Sequence, residues 1–251
     1  MVWNRFIERT ISTIGLALLI FGRPPAQVIP MENDPIGGPG QPLTIEVWSD
    51  VVCPFCYIGK RELENALERF PHKDSVRVVW KSFELDPEAP ARAEQDTYGM
   101  LSERYGMTRE QAKQRVETVV QRAATVGLTY HFDRVIVGHS FDAHRLLQFA
   151  KTKGTGDGMK ERLFKAYFTE GQHLADRATL VALATEVGLD AKEVDALLST
   201  DAFTDAVRAD EAKAPVGIEL DHNTLLGRGG RLCYWGALRD RRVIDGSAAG
   251  R

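Results

Sequence analysis

Cysteine is the residue type in this chain whose spacing most directly indicates chemistry. The motif Cys53-Pro54-Phe55-Cys56 holds two of the three cysteines, and Cys233 lies far from both. A C-x-x-C pair at the start of a helix is typical of dithiols that exchange with disulfides. We therefore predict that Cys53 and Cys56 are catalytic residues, and that Cys233 has no part in the chemistry.

The two cysteines of the motif have different expected roles. A thiolate rather than a thiol attacks a disulfide, so the attacking cysteine needs a lowered pKa. A helix start stabilises an anion by roughly 0.3–2 kcal/mol, or about one pKa unit, and Pro54 costs no hydrogen bond there. This position predicts that Cys53 is the nucleophile. Cys56 lies three residues later on the same face, where it can resolve a mixed disulfide formed on Cys53.

A metal site and a pair of buried structural cysteines are the alternative interpretations of this motif. A zinc site needs four ligands, usually two cysteine pairs or a cysteine pair with a histidine pair. The chain has three cysteines and six histidines, and its closest histidine candidates, His139 and His144, do not have finger-like spacing. We therefore expect no metal and no other cofactor.

The motif lies between two segments with strand patterns. Residues 43–48 alternate apolar and polar side chains, residues 57–70 carry apolar side chains at helical spacing, and residues 76–80 are the second strand. This order predicts a βαβ unit whose crossover helix begins at the C-x-x-C motif. From residue 86 to residue 212 the pattern is helical, and Thr108 with Gln111 forms a capping box.

Composition and charge exclude several function classes. The chain has 251 residues, 35 acidic and 32 basic, so its formal charge is −3. This balance indicates a soluble globule without a basic surface for nucleic acid. Residues 14–21 form a short apolar run behind Arg5 and Arg9, far below the ~20 residues that span a bilayer. Because this signal-like segment is weak, we predict a cytoplasmic protein, with export as the alternative.

Three segments of the chain resemble the FrnE-like branch of the DsbA family of thiol–disulfide oxidoreductases. They are residues 45–60 (IEVWSDVVCPFCYIGK), 140–146 (SFDAHRL) and 163–171 (LFKAYFTEG). The resemblance covers about residues 43–218. It implies an α/β, thioredoxin-like fold interrupted by a large inserted helical domain that partly roofs the site. It also implies that Cys53 is the nucleophile, Cys56 the resolving cysteine, and that the partners are protein thiols and disulfides, with glutathione as a further candidate.

The resemblance divides the chain into four parts. We predict a leader and linker over residues 1–42, the N-terminal βαβ part of a thioredoxin-like domain over 43–86, a helical insertion over 87–212 and an atypical tail over 213–251. The last part departs from the family, because no Val-Pro followed by an apolar strand occurs near residues 217–224, and Pro215 comes too early. Residues 227–251 hold six glycines and six arginines. We therefore expect the C-terminal strands and helix to be missing or altered, and residues 219–251 to lie outside the sheet.

Two other functions remain open at the level of sequence. Glutathione-dependent isomerases of 2-hydroxychromene-2-carboxylate and kappa-class transferases share the superfamily, but there a serine activates glutathione where this chain has Cys53. The second alternative is an inactive remnant that binds thiol partners, which the atypical tail favours. His144 is either an acid–base group borrowed by the site or a helix histidine that faces the core.

Overall fold

The computed structural model describes residues 43–214, together with the backbone of two strands at residues 223–228 and 231–236. The predicted leader and linker and the remaining residues after 214, including Pro215, lie outside the described residues.

A parallel βαβ unit opens the described part of the chain. Strand β1 (Leu43–Ser49) leads to helix α1 (Pro54–Glu68), and strand β2 (Val76–Ser82) follows a short 3₁₀ turn at Lys73–Ser75. The two strands pair in register from Leu43 opposite Val76 to Ser49 opposite Ser82. The predicted βαβ unit is confirmed, and its crossover helix begins directly after Cys53.

Seven helices fill the chain between β2 and residue 214. They are α2 (Thr97–Tyr105), α3 (Arg109–Ala124), α4 (Phe141–Thr152), α5 (Gly156–Phe168), α6 (Arg177–Glu186), α7 (Ala191–Leu198) and α8 (Thr204–Glu211). The predicted capping box at the start of α3 is present, with Thr108 and Gln111 each bonding the other's backbone N–H. Helix α2 lies within the predicted helical region, and the Asp96 side chain caps it by accepting a hydrogen bond from the Gly99 N–H.

The βαβ unit is covered on both faces. On one face Ile45 and Val47 pack with Leu63 of α1 in a small apolar cluster. On the other face the indole N–H of Trp48 donates to the Asp210 carbonyl of α8 at 2.7 Å. The Asp210 carboxylate accepts a hydrogen bond from the Ser82 N–H at the end of β2. The last described helix therefore fixes the carboxyl ends of the strands, next to which the C-x-x-C motif lies.

The main core joins α1 to the helical region. Tyr57 of α1 stacks on Phe164 of α5 with ring centroids 4.7 Å apart. Tyr130, in the segment between α3 and α4, stacks on Phe168 at the same separation of 4.7 Å. Outside this apolar contact Glu161 accepts hydrogen bonds from Lys60 and Arg61 of α1. Helix α1 is thus held against α5 by both apolar and ionic contacts.

The sheet contains two strands from the atypical tail. Strands β3 (Asn223–Arg228) and β4 (Arg231–Gly236) form an antiparallel hairpin, and β4 pairs in parallel with β1, giving the order β2-β1-β4-β3. The prediction that residues 219–251 lie outside the sheet is therefore wrong for these two strands. The physical reason is that β1 would otherwise carry a row of unpaired N–H and C=O groups. In the sequence, a Gly-Gly dipeptide at 229–230 favours a tight hairpin turn.

In the described part of the chain, no helix is long and apolar enough to cross a membrane.

Candidate active site

Cys53 and Cys56 lie at the junction between β1 and α1. Cys53 is the N-cap residue in an extended conformation, and its N–H donates to the Asp50 carbonyl at 3.2 Å. The Cys56 N–H donates to the Cys53 carbonyl at 3.1 Å, which closes the first turn. Both side chains are free thiols, with Cys53 half-buried and Cys56 only 7% exposed. Cys53 is therefore the more exposed residue of the pair, and Cys56 the more buried one.

Tyr130 fixes the first turn of α1 from the helical region. Its hydroxyl donates to the Pro54 carbonyl at 2.8 Å. Burial, with the nearby charge of Cys53, raises the pKa of Tyr130 far above its usual value, so the hydroxyl stays a donor. The turn that carries the dithiol is thus held by a hydrogen bond from outside the βαβ unit.

The two thiols form one ionising pair. Their mutual hydrogen bond, together with burial, raises the pKa of Cys53. The bond donated by Cys53 lowers the pKa of Cys56 against the opposing effect of burial. Three further groups favour the Cys56 thiolate: the Ser49 hydroxyl, the Lys160 ammonium and the Asp50 backbone N–H.

This distribution corrects the expectation that the helix start lowers the pKa of Cys53. In the free dithiol the groups around the first turn favour a thiolate at the Cys56 sulfur. The two thiols are coupled, however, and they titrate as a pair. When one proton is left on the pair, the negative charge is on whichever sulfur does not hold it. Of the two cysteines, Cys53 is the more exposed residue.

A buried carboxylate lies under the loop that precedes the motif. Asp50 is 1% exposed, and its two oxygens accept hydrogen bonds from Val52 at 3.2 Å and Leu85 at 2.8 Å. His144 Nε2 lies 3.3 Å from the same carboxylate. Burial opposes the charge, but hydrogen bonds from His144, Leu85 and Ser140 hold the pKa of Asp50 below its usual value. His144, which the sequence left as an acid–base group or a core residue, is fully buried against Asp50.

Lys160 of α5 is the second buried charge at the site. It is 1% exposed, and its Nζ lies 4.9 Å from the centre of the Trp80 ring. Burial lowers its pKa to about 8, although the charges of Cys56 and Asp50 act in the opposite direction. Sequence reasoning missed both Asp50 and Lys160. The sequence feature that could have indicated Asp50 is its position just before the C-x-x-C motif.

Residues that could hold a metal do not cluster in the described chain. Within residues 43–214, no group of three or more His, Cys, Asp or Glu side chains is arranged for metal binding. The buried Asp50–His144 pair supplies two ligands at most.

Mild oxidation is expected to join Cys53 to Cys56 and to leave Cys233 free. Three residues in one helical turn place two cysteines within the ~4.4–6.8 Å Cα separation of a disulfide. Cys233 pairs with Glu46 on β1. At ~3.3 Å per residue, Glu46 lies about 10 Å along β1 from the end of the strand that leads to the motif. Peptide mapping without reductant would show the pairing, and a bridge from Cys233 to either residue of the motif would contradict it.

Comparison with known proteins places this geometry in a family. The family model of the DSBA-like thioredoxin domain matches residues 44–216. The chain belongs to this family. The predicted α/β, thioredoxin-like fold with its helical insertion is confirmed by that match and by the solved structures similar to it.

The chain is also similar to several individual proteins. It is 34% identical over 166 residues to the uncharacterized protein YwbO of Bacillus subtilis (strain 168), covering 65% of this chain and 76% of that protein. A crystal structure titled "probable DsbA oxidoreductase", from Streptomyces coelicolor, is 41% identical with a TM-score of 0.66, covering 69% of this chain and 76% of that one. A 2-hydroxychromene-2-carboxylate isomerase has the same fold at 13% identity and a TM-score of 0.51, covering 82% and 93% of the two chains. These matches agree with the FrnE-like branch of the DsbA family.

Proposed function

We propose that this protein is a thiol–disulfide oxidoreductase that acts on protein disulfides through Cys53 and Cys56. The observation that carries the proposal is the arrangement of the two thiols in one helical turn, one accessible and one buried behind it. The Cys53 thiolate attacks a substrate disulfide, which forms a mixed disulfide and releases one substrate thiolate. Cys56 then attacks the Cys53 sulfur, which forms the Cys53–Cys56 disulfide and releases the second substrate thiolate.

The surroundings of Cys56 support a dithiol mechanism over the isomerase alternative. An enzyme that activates glutathione with one residue needs no second sulfur in the same turn. Here Ser49, Asp50 and Lys160 all favour the thiolate of Cys56. A stabilised thiolate at Cys56 supports a role for this sulfur in disulfide exchange.

The proposed partners follow from the same proposal. Protein disulfides reach Cys53 at the surface, and glutathione is a second candidate, as the sequence predicts. The cytoplasmic location likewise stays a prediction from the sequence.

An insulin reduction assay with dithiothreitol separates the candidate functions. We expect insulin precipitation to be faster with the protein than with dithiothreitol alone, because Cys53 attacks protein disulfides. The same preparation is then given 2-hydroxychromene-2-carboxylate and glutathione. Isomerisation without insulin reduction would favour the isomerase, and inactivity in both assays would favour the inactive remnant.

A further inference from the structure

A cavity runs along strand β2, which is an outer strand of the described sheet. Its volume of about 320 Å³ is at the lower end of the range for small-molecule sites. Six consecutive residues of β2, 77–82, line it. Because side chains alternate between the two faces of a strand, six consecutive lining residues place the cavity at the strand edge. The end of α4 and the start of α5 form the other walls.

Lys160 of α5 places a buried positive charge in the wall of this cavity. It is 1% exposed, and its Nζ lies 4.9 Å from the centre of the Trp80 ring, which lines the same cavity. The buried Lys60 on α1 has two carboxylate partners. Within residues 43–214 no carboxylate forms such an ion pair with Lys160. A buried ammonium without an anionic partner lowers stability, so its position in a cavity wall indicates a site for an anionic ligand.

The start of α5 also faces this cavity. Gly156 and Asp157, the first two residues of the 13-residue helix, line it. The N-cap residue Thr155 makes no side-chain capping bond to the first turn, and its hydroxyl donates to the Ala150 carbonyl instead. Uncapped N–H groups and the positive end of the helix dipole together favour an anion, and phosphate is a common one.

Two glycines bring this helix start close to Lys151 at the end of α4. Gly154 has a φ of +76°, in the left-handed region that favours glycine. A side chain at residue 156 would meet the Lys151 Cγ at 2.9 Å. The Lys151 stem therefore packs against the first turn of α5, and Lys151 lines the cavity there.

The charged side chains that line the cavity are mostly positive. They are Arg77, Lys81, Lys151 and Lys160, against Asp157 as the acidic residue among the described lining residues. Lys81 is compensated by Asp210 at 3.2 Å and by Glu46 at 3.6 Å, and Lys151 lies 3.8 Å from the same aspartate. Lys160 keeps its charge without such a partner, so the inner wall of the cavity attracts an anion.

We propose that this cavity binds a small phosphate monoester, with its phosphate beside Lys160, Lys151 and the start of α5, and its organic group against Trp80 and Leu147. The site is separate from the dithiol, since neither Cys53 nor Cys56 lines the cavity. A phosphate monoester carries a charge of about −1.5 to −2 at pH 7, which suits two ammonium groups and a helix start better than a carboxylate does. The cavity volume is about ten times the ~30 Å³ share of one water molecule, so a phosphate ion alone would not fill it.

Isothermal titration calorimetry with phenyl phosphate tests the site. We expect phenyl phosphate to bind the parent protein, and inorganic phosphate and benzoate to bind about tenfold more weakly or less, because the first lacks the ring and the second lacks the dianion. Lys160→Met should raise the Kd for phenyl phosphate about tenfold or more, since a charged hydrogen-bond donor is lost. Asp157→Asn should lower it about two- to fivefold, the usual effect of one charge at a helix start.

Lys165→Met is the matched control, because it removes an exposed lysine from the same helix and changes the net charge equally. Its Kd should stay within about twofold of the parent value. Lys151→Met, at a more exposed position than Lys160, provides a second test if Lys160→Met does not fold, and it should raise the Kd about threefold or more. Equal Kd values in the parent protein and both cavity variants would overturn the inference, as would an equal rise in Lys165→Met. Binding of benzoate or inorganic phosphate as tight as that of phenyl phosphate would also overturn it, and so would the absence of phenyl phosphate binding to the parent protein.

Discussion

Cys56→Ser is expected to turn the protein into a trap for its substrates. Cys53 still attacks a disulfide in this variant, but the thiol that would release the mixed disulfide is gone. Turnover of insulin should fall by about 10³-fold or more, as it does when one member of a catalytic unit is lost. Covalent adducts should accumulate on Cys53, and non-reducing gels followed by mass spectrometry would show them.

Two further variants make this result specific. Cys53→Ser should lose turnover to the same extent and form no adducts, because the accessible sulfur is removed. Cys233→Ser should behave like the parent protein, since the Cys233 backbone pairs with Glu46 rather than with the motif. Adducts on Cys56 in the Cys53→Ser variant would show that the roles of the two cysteines are reversed.

Asp50→Ala is expected to lower the free energy of unfolding by about 3–5 kcal/mol at pH 7, because it removes one member of a buried pair. His144 would lose its partner, and the N–H groups of Val52 and Leu85 would lose their acceptor. Urea titration followed by circular dichroism measures the change. The control is Asp176→Ala, which removes an exposed N-cap carboxylate of α6 and should cost about 1 kcal/mol. Equal losses in the two variants would contradict the structural role of Asp50.

The pH dependence of stability has a defined sign for Asp50. Its pKa is lower in the folded protein than in the unfolded chain. Its stabilising contribution is therefore fully present above the unfolded value of about 3.9 and is lost as the pH falls through the folded value. The parent protein should lose stability in this acidic window, and Asp50→Ala should lose less over the same range.

Local patterns in the sequence predict the part of the fold that presents the cysteines. Apolar alternation in residues 43–48 and the helical pattern after the motif are local signals, and both elements form as predicted. The hairpin at residues 223–236 was missed because its apolar cluster at residues 232–235 is short and the surrounding composition is unusual. Its pairing is determined by the open edge of β1, which lies almost two hundred residues earlier in the chain.

The electrostatics of the site could not be predicted from the motif alone. A helix start predicts a lowered pKa at Cys53, but the groups that lower a thiol pKa act on Cys56 and come from the end of β1, from the loop after it and from the charge of Lys160 on α5. Lys160, Glu161 and Arg162 are consecutive in the sequence, and such a run of charged residues predicts a solvent-exposed helix face. The burial of Lys160 depends on the packing of Tyr57 against Phe164, which brings α5 onto α1. Contacts between segments that are far apart in the chain cannot be recognised from a single sequence.

The packing of α5 on α1 also limits how this protein can be re-engineered. The dithiol helix contributes Tyr57 to a core that it shares with Phe164 and Phe168. The helical region therefore cannot be exchanged independently of α1, because the two share this core. A chimera that exchanges the helical region for that of a relative also has to exchange the face of α1 that contacts α5. This face includes Tyr57, Lys60 and Arg61. Exchange of the helical region alone is expected to remove the ring contacts of Tyr57 and so to lower stability.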